Sequence, residues 1–192
     1  MNNMMTNIEV AKIMVSGMKC MLSREQIHEL ADILVCRKFK KGERILDEGE
    51  VCRSMLYLEK GLTRQFYFKY DKDLTEHIAY EGGVVICLES YLKEEPTRLM
   101  IETLEPTIAW DIPKDKIEEL ALKDAEIGVW YRKLFEASLI ESQVKADTLR
   151  FEPVVRSDFA EVTGADEILL RSGKRHRRFS GKNVLQHHSG LY

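Results

Sequence analysis

The chain is 192 residues long, 44% hydrophobic and 32% charged, with a formal net charge of −3. That apolar content can fill a packed core, which excludes a wholly disordered chain. No apolar run reaches the ~18 residues of a membrane-spanning helix, and the polar start Met1 to Met5 lacks the basic flank and apolar stretch of a secretory signal. The expectation is a cytoplasmic protein with no membrane partner, built as one substantial domain plus an appendage or as two small domains.

The small net charge conceals an asymmetry. From Arg171 to Tyr192 there are six basic residues and no acid, so the first 170 residues hold 23 basic against 32 acidic groups, a net of −9. The four cysteines, Cys20, Cys36, Cys52 and Cys87, form no C-x-x-C pair and match no zinc or iron–sulfur spacing. In a reducing compartment they read as free, largely buried thiols rather than disulfides or metal ligands.

In chain order, a short helix is predicted over Ile8 to Val15. A second follows Ser23, because Ser23-Arg24-Glu25-Gln26 has capping-box spacing and Ile27, Leu30, Ala31 and Leu34 repeat at helical intervals. From Phe39 the texture changes to short apolar runs bracketed by turns. Ile45-Leu46 lies between Lys41-Gly42-Glu43 and Asp47-Glu48-Gly49-Glu50. Met55 to Leu58 precedes Lys60-Gly61, and an aromatic run covers Thr63 to Tyr70. Asp71-Lys72-Asp73 reads as a hairpin tip with Thr75 to Tyr80 returning, then Glu81-Gly82-Gly83, Val84 to Ile86, Ile101 to Leu104 and Thr107 to Ile112. Strands this short, with turns every 8–12 residues, imply a sandwich or barrel.

A short amphipathic helix is predicted over Lys114 to Leu122. A long one then runs from Asp124 to about Arg150, with Pro153 beyond it. The long helix has two apolar stripes. One comprises Ile127, Trp130, Leu134, Ala137, Ile140 and Val144; the other comprises Tyr131, Phe135, Leu139, Ala146 and Leu149. Either they merge into one broad face inside the monomer, or the second seats a partner helix, most simply from a second copy of the chain. A homodimer is the adopted reading.

Phe39 to Leu46, Glu48-Gly49-Glu50 and Leu56 to Arg64 together resemble the opening of the cyclic-nucleotide-binding domain. Leu88-Glu89-Ser90-Tyr91-Leu92, Pro96-Thr97-Arg98 and Ile101 to Glu105 continue the pattern. This order is similar to the CRP/FNR transcription regulators, in particular the divergent group common in Bacteroidetes. The resemblance implies an α+β fold. A double-stranded β-helix (jelly roll) with N-terminal helices would occupy residues 1–122, a dimerisation helix 123–150, and a short basic C-terminal region 151–192, a degenerate or truncated helix-turn-helix.

It also implies an effector cradle in which Glu89 and Arg98 would bind ribose and phosphate, with Ser90 and Thr97 as hydroxyl donors. The effector would be a cyclic nucleotide or another small anion, with no other cofactor. The chain departs from the family pattern in three places. Cys87-Leu88 stands in place of the usual Gly, the Glu89-to-Arg98 interval is one residue short, and Leu99 follows Arg98. The alternative for Glu89 and Arg98 is a structural ion pair or a solvated position.

In the C-terminal region Ala160, Gly164 and Leu170 follow, faintly, the spacing of a helix-turn-helix with Glu167 to Lys174 as its second helix. Asp166 and Glu167 would oppose phosphate. Arg171, Lys174, Arg175, Arg177 and Arg178 are the candidate DNA contacts, since clustered cations release counterions from phosphate; a solvated basic tail is the alternative. The leading functional reading is a homodimeric DNA-binding regulator that senses an effector in its β-roll. The second is a stand-alone ligand or interaction module of the same fold. An enzymatic reading is poorly supported: a jelly-roll metal site needs converging histidines, and only His77 lies in the β region.

Overall fold

The computed structural model describes residues 4–151. The chain divides into two units, Met1–Glu152 and Pro153–Tyr192, and the description concerns the first. Arg171, Lys174, Arg175, Arg177 and Arg178, the proposed helix-turn-helix, and the side chains of Ala146 and Leu149 lie outside the described residues.

Two helices open the unit, α1 (Asn7–Gly17) and α2 (Arg24–Asp32). The Ser23 box forms in both directions: Ser23 Oγ accepts from the Gln26 amide at 3.2 Å, and Gln26 Oε1 accepts from the Ser23 amide at 2.7 Å. Thr6 and Glu9 make a second box at the start of α1, which the sequence reading missed. Eight strands follow: β1 (Val35–Phe39), β2 (Arg44–Leu46), β3 (Ser54–Lys60), β4 (Leu62–Lys69), β5 (Lys72–Tyr80), β6 (Val84–Val85), β7 (Met100–Thr103) and β8 (Thr107–Pro113). Helix α3 (Leu88–Lys93) interrupts them between β6 and β7, and α4 (Lys114–Lys123) and α5 (Ala125–Phe151) close the unit.

The strands form two four-stranded antiparallel sheets, ordered β1-β8-β3-β6 and β2-β7-β4-β5. This is the jelly roll with flanking helices. Met55, Leu56, Tyr57 and Leu58 of β3 are buried consecutively, so that strand is covered on both faces. Helices α1 and α5 join the same core, which takes in Val10, Met14, Ile127 and Trp130. The Trp130 indole N–H reaches the Met14 carbonyl at 3.4 Å. Asp124 starts α5 by accepting the amides of Glu126 and Ile127, and Gln26 donates to Asp124 and Glu126 from the start of α2.

One expected turn shifts. The β4–β5 reversal is Tyr70-Asp71, both with positive φ (52° and 60°), and Lys72 and Asp73 already pair with Lys69 and Phe68. Left-handed pairs of this kind match the twist of a hairpin. Tyr70 occupies the first of these positions without being a turn-forming residue type, so composition pointed one residue too far along the chain.

Along α5 the two stripes separate by position rather than by face. Ile127, Trp130 and Leu134 are buried, and Tyr131 and Phe135 are half-buried against the same core. Leu139 is 54% and Ile140 64% exposed.

Gly61, between β3 and β4, has φ +109°, and a Cβ there would sit 2.4 Å from Thr107 Oγ1 and 2.8 Å from Thr107 Cα. Gly42 shares a positive φ, but a Cβ there meets nothing within 4 Å. Gly61→Ala is therefore expected to cost ~3 kcal/mol or more, because β8 backbone must move, against about 1 kcal/mol for Gly42→Ala. Urea unfolding of the two variants checks the difference.

Candidate functional site

The residues expected to form an effector cradle converge on α3 and the segment joining it to β7, but their side chains have different partners. Glu89 is exposed and pairs with Lys93 one turn later at 2.7 Å. That ammonium holds the Glu89 carboxyl below the usual carboxylate range, and Arg98 adds a smaller pull in the same direction. Arg98 is exposed and forms no ion pair among the described residues.

Ser90 and Thr97 are buried. Ser90 Oγ accepts the Cys52 amide at 3.0 Å and donates to the Glu95 carbonyl. Thr97 Oγ1 accepts the Leu99 amide at 2.9 Å and donates to the Leu99 carbonyl at 3.2 Å, while its backbone pairs with Gly49 and Glu50. The two hydroxyls therefore close the fold's own loops, and the two charged groups face outward.

A helix of six residues has little stability by itself, so α3 depends on what holds it. Tyr91 does most of this. Its ring is fully buried and its hydroxyl hydrogen-bonds Tyr131 of α5 at 2.8 Å. Its carbonyl accepts Lys114 Nζ at 2.9 Å, and the same ammonium reaches Glu94, the left-handed C-cap of α3, at 2.6 Å. A cation at a helix C-terminus satisfies carbonyls that have no intrahelical donor. Phe135 meets Tyr131 edge to face and approaches Tyr91, with centroids at 4.8 and 6.1 Å. Burial pushes the Tyr131 hydroxyl up to about 12 and shifts Tyr91 in the same direction.

Below α3 lie two thiols. Cys87, its N-cap, and Cys52, on the β2–β3 connection, are both buried. Each thiol shifts the proton affinity of the other; Cys52 Sγ lies 3.3 Å from the Ser54 carbonyl, and Gln65 Nε2 approaches Cys87 Sγ at 3.5 Å. The sequence reading predicted buried free thiols, and this holds for these two; Cys20 and Cys36 are only partly buried. The pairing was missed because 35 residues separate the partners. The one available signal was Cys87 standing where the family pattern places Gly.

A cavity of about 380 Å³ opens beside Cys52, lined also by Arg53, Glu94, Lys114, Asp115 and Glu118. On the outer face of the second sheet, Arg64 binds Glu102 at 2.6 Å and grips Asp73 through two nitrogens, with its guanidinium 4.0 Å from the Phe66 ring centroid. Among the described residues no group of three or more His, Cys, Asp or Glu could hold a metal ion, and no helix is long and apolar enough to cross a membrane.

Residues 36–124 match the sequence profile of the cyclic nucleotide-binding domain. Solved structures of the same fold include the catabolite activator protein of Thermus thermophilus (18% identity, TM-score 0.57), aligned over 73% of this chain and 64% of that one. A cyclic nucleotide-binding domain from Methylobacillus flagellatus aligns at 14% identity and TM-score 0.63, over 80% and 89% of the two chains. The sensor domain of a transcriptional regulator from Pseudomonas aeruginosa aligns at 12% identity and TM-score 0.55, over 80% and 95%. This chain thus spans less than two thirds of the Thermus protein. Among the curated proteins, no sequence matches the chain.

Two predictions follow from how α3 is held. Ser90→Ala strands the buried Cys52 amide and is expected to cost ~1–3 kcal/mol, whereas Arg98→Ala stays within ~0.5 kcal/mol; chemical denaturation separates them. The raised Tyr131 pKa favours the neutral phenol in the folded state. Its contribution is therefore complete below the ordinary tyrosine pKa of about 10 and is lost as pH rises toward about 12. Tyr131→Phe is expected to lose ~1 kcal/mol at pH 8 and to show a smaller further loss than wild type between pH 9 and pH 12, measured by urea unfolding at each pH.

Proposed function

We propose that this chain, whose residues 36–124 match the cyclic nucleotide-binding domain and whose fold is shared with a regulator of the CRP/FNR family, is a homodimeric, DNA-binding regulator that senses a small effector through its β-roll. The observation that carries this is the route from α3 to α5. The helix that bears Glu89 is bonded through Tyr91 to Tyr131, on the helix whose later turns leave Leu139 and Ile140 exposed. A change in how α3 sits is passed to the helix that would meet the partner copy, and the basic run ending at Arg178 carries the charge that phosphate attracts.

The site favours an effector that engages outward-facing charge. Arg98 is the cation available to an anion, and Ser90 and Thr97 serve an anion only if their internal bonds are exchanged. A cyclic nucleotide therefore competes with other small anions for this role.

The test is a thermal-shift series with cyclic nucleotides and small anionic metabolites on the full chain. A true effector at 100 times its Kd adds ~2.7 kcal/mol, a rise of roughly 5–10 °C for a chain of this size, and Arg98→Ala should abolish it. No shift with any cyclic nucleotide, alongside intact DNA binding, would place sensing elsewhere.

Two further outcomes are expected. Ile140→Glu should convert a dimer to the 22.3 kDa monomer in light scattering. Neutralising Arg175, Arg177 and Arg178 should weaken DNA binding and reduce the salt slope of log K by roughly 2–3. Small-molecule binding with no DNA affinity would favour the second reading, a stand-alone ligand module of the same fold.

A further inference from the structure

Two thiols brought together beneath one helix, one of them beside a cavity, form an arrangement that neither the fold nor the proposed regulator requires. Cys52 and Cys87 are 4% and 1% exposed, yet neither is enclosed in apolar packing alone. The Cys52 amide is fixed by Ser90 Oγ at 3.0 Å, and its sulfur lies 3.3 Å from the Ser54 carbonyl. Cys87 Sγ has Gln65 Nε2 at 3.5 Å.

Strands β3 and β6 pair Leu56 with Val85 and Tyr57 with Val84. Beyond Val85 the chain turns into α3 with Cys87 as its N-cap, and the Cys52 amide is bonded to Ser90 in the first turn of that helix, so the two thiol-bearing segments meet at the start of α3. Cys52 also lines the 380 Å³ cavity, whose walls carry Arg53 and Lys114 together with Glu94, Asp115 and Glu118, so a small polar oxidant can come up to this residue.

The geometry points to Cys52 and Cys87 as a peroxide-reactive dithiol, with Cys52 the attacking sulfur and Cys87 the resolving one. The Cys52 thiolate attacks one oxygen of a hydroperoxide. The O–O bond breaks, the leaving oxygen departs as water or an alcohol after taking up a proton, and Cys52 becomes a sulfenic acid. Cys87 then attacks the sulfenic sulfur, an S–S bond forms and water leaves. In total two thiols are oxidised by two electrons and one hydroperoxide is reduced.

The division of roles follows from the cavity and is supported by proton affinity. The neighbouring Cys87 thiol brings Cys52 down to about 7, inside the range of reactive thiols, while the Cys52 thiol and burial push Cys87 up. Because Cys87 caps α3, the disulfide would fix that helix to the β2–β3 connection. The chemistry holds whether or not the chain binds DNA.

The test treats the reduced full chain with hydrogen peroxide at one to ten equivalents, alkylates the remaining thiols and maps them by mass spectrometry. The expected result is a Cys52–Cys87 linked peptide as the main product, with Cys20 and Cys36 still alkylated although they are more exposed. Cys87→Ser should lose the linked peptide and trap a dimedone adduct on Cys52 at least tenfold above wild type. Cys52→Ser should give neither, with circular dichroism confirming that both variants fold. Oxidation falling first on Cys20 or Cys36, or a dimedone adduct on Cys87 in place of Cys52, would overturn the assignment.

Discussion

The structure depends most on the seating of a six-residue helix across the edge of a β-roll. Helix α3 is too short to persist through its own hydrogen bonds, and each of its buried polar groups is paired with a different element. Ser90 takes the Cys52 amide of the β2–β3 connection, Tyr91 meets Tyr131 of α5, and Lys114 of α4 seals the last turn. Buried polar groups are costly when unpaired and modestly favourable when paired, so α3 is held by avoidance of loss more than by apolar burial. Its position is thereby linked to three distant parts of the chain.

This explains why the candidate site divides as it does. The hydroxyls at 90 and 97 lie on the inward side and are engaged in loop closure. The charges at 89 and 98 lie outward, near enough for Arg98 to favour ionised Glu89. An effector arriving at this surface would meet Arg98 first and would reach the hydroxyls only by breaking bonds that hold α3. Binding and movement of α3 would then be one event, and α5 is the element bonded to its far side.

Much of the fold was legible because it rests on local chemistry. The Ser23 box, the turns at Gly42 and Gly61 and the unbroken helix after Asp124 are short-range signals that tertiary packing did not overrule. The β4–β5 tip was misplaced because Tyr70 and Asp71 adopt a left-handed pair that composition does not advertise. Residue type could nominate Ser90 and Thr97 as donors but could not show that their acceptors are already the carbonyls of Glu95 and Leu99. Contacts across long intervals left no local trace: Tyr91 with Tyr131, Cys52 with Cys87, and Arg64 with Glu102. The acidic character of the first 170 residues and the basic character of the last 22 were visible from counting alone.

The central claim is that α3, the β2–β3 connection and the start of α5 move as one unit. Hydrogen exchange by mass spectrometry tests it directly, following peptides that contain Cys52, residues 88–94 and residues 127–135. The account predicts that all three exchange slowly at similar rates in the wild type and accelerate together in Tyr131→Phe, by about tenfold per 1.4 kcal/mol lost. Independent, fast exchange of residues 88–94 in the wild type, or acceleration confined to α5 in the variant, would contradict it.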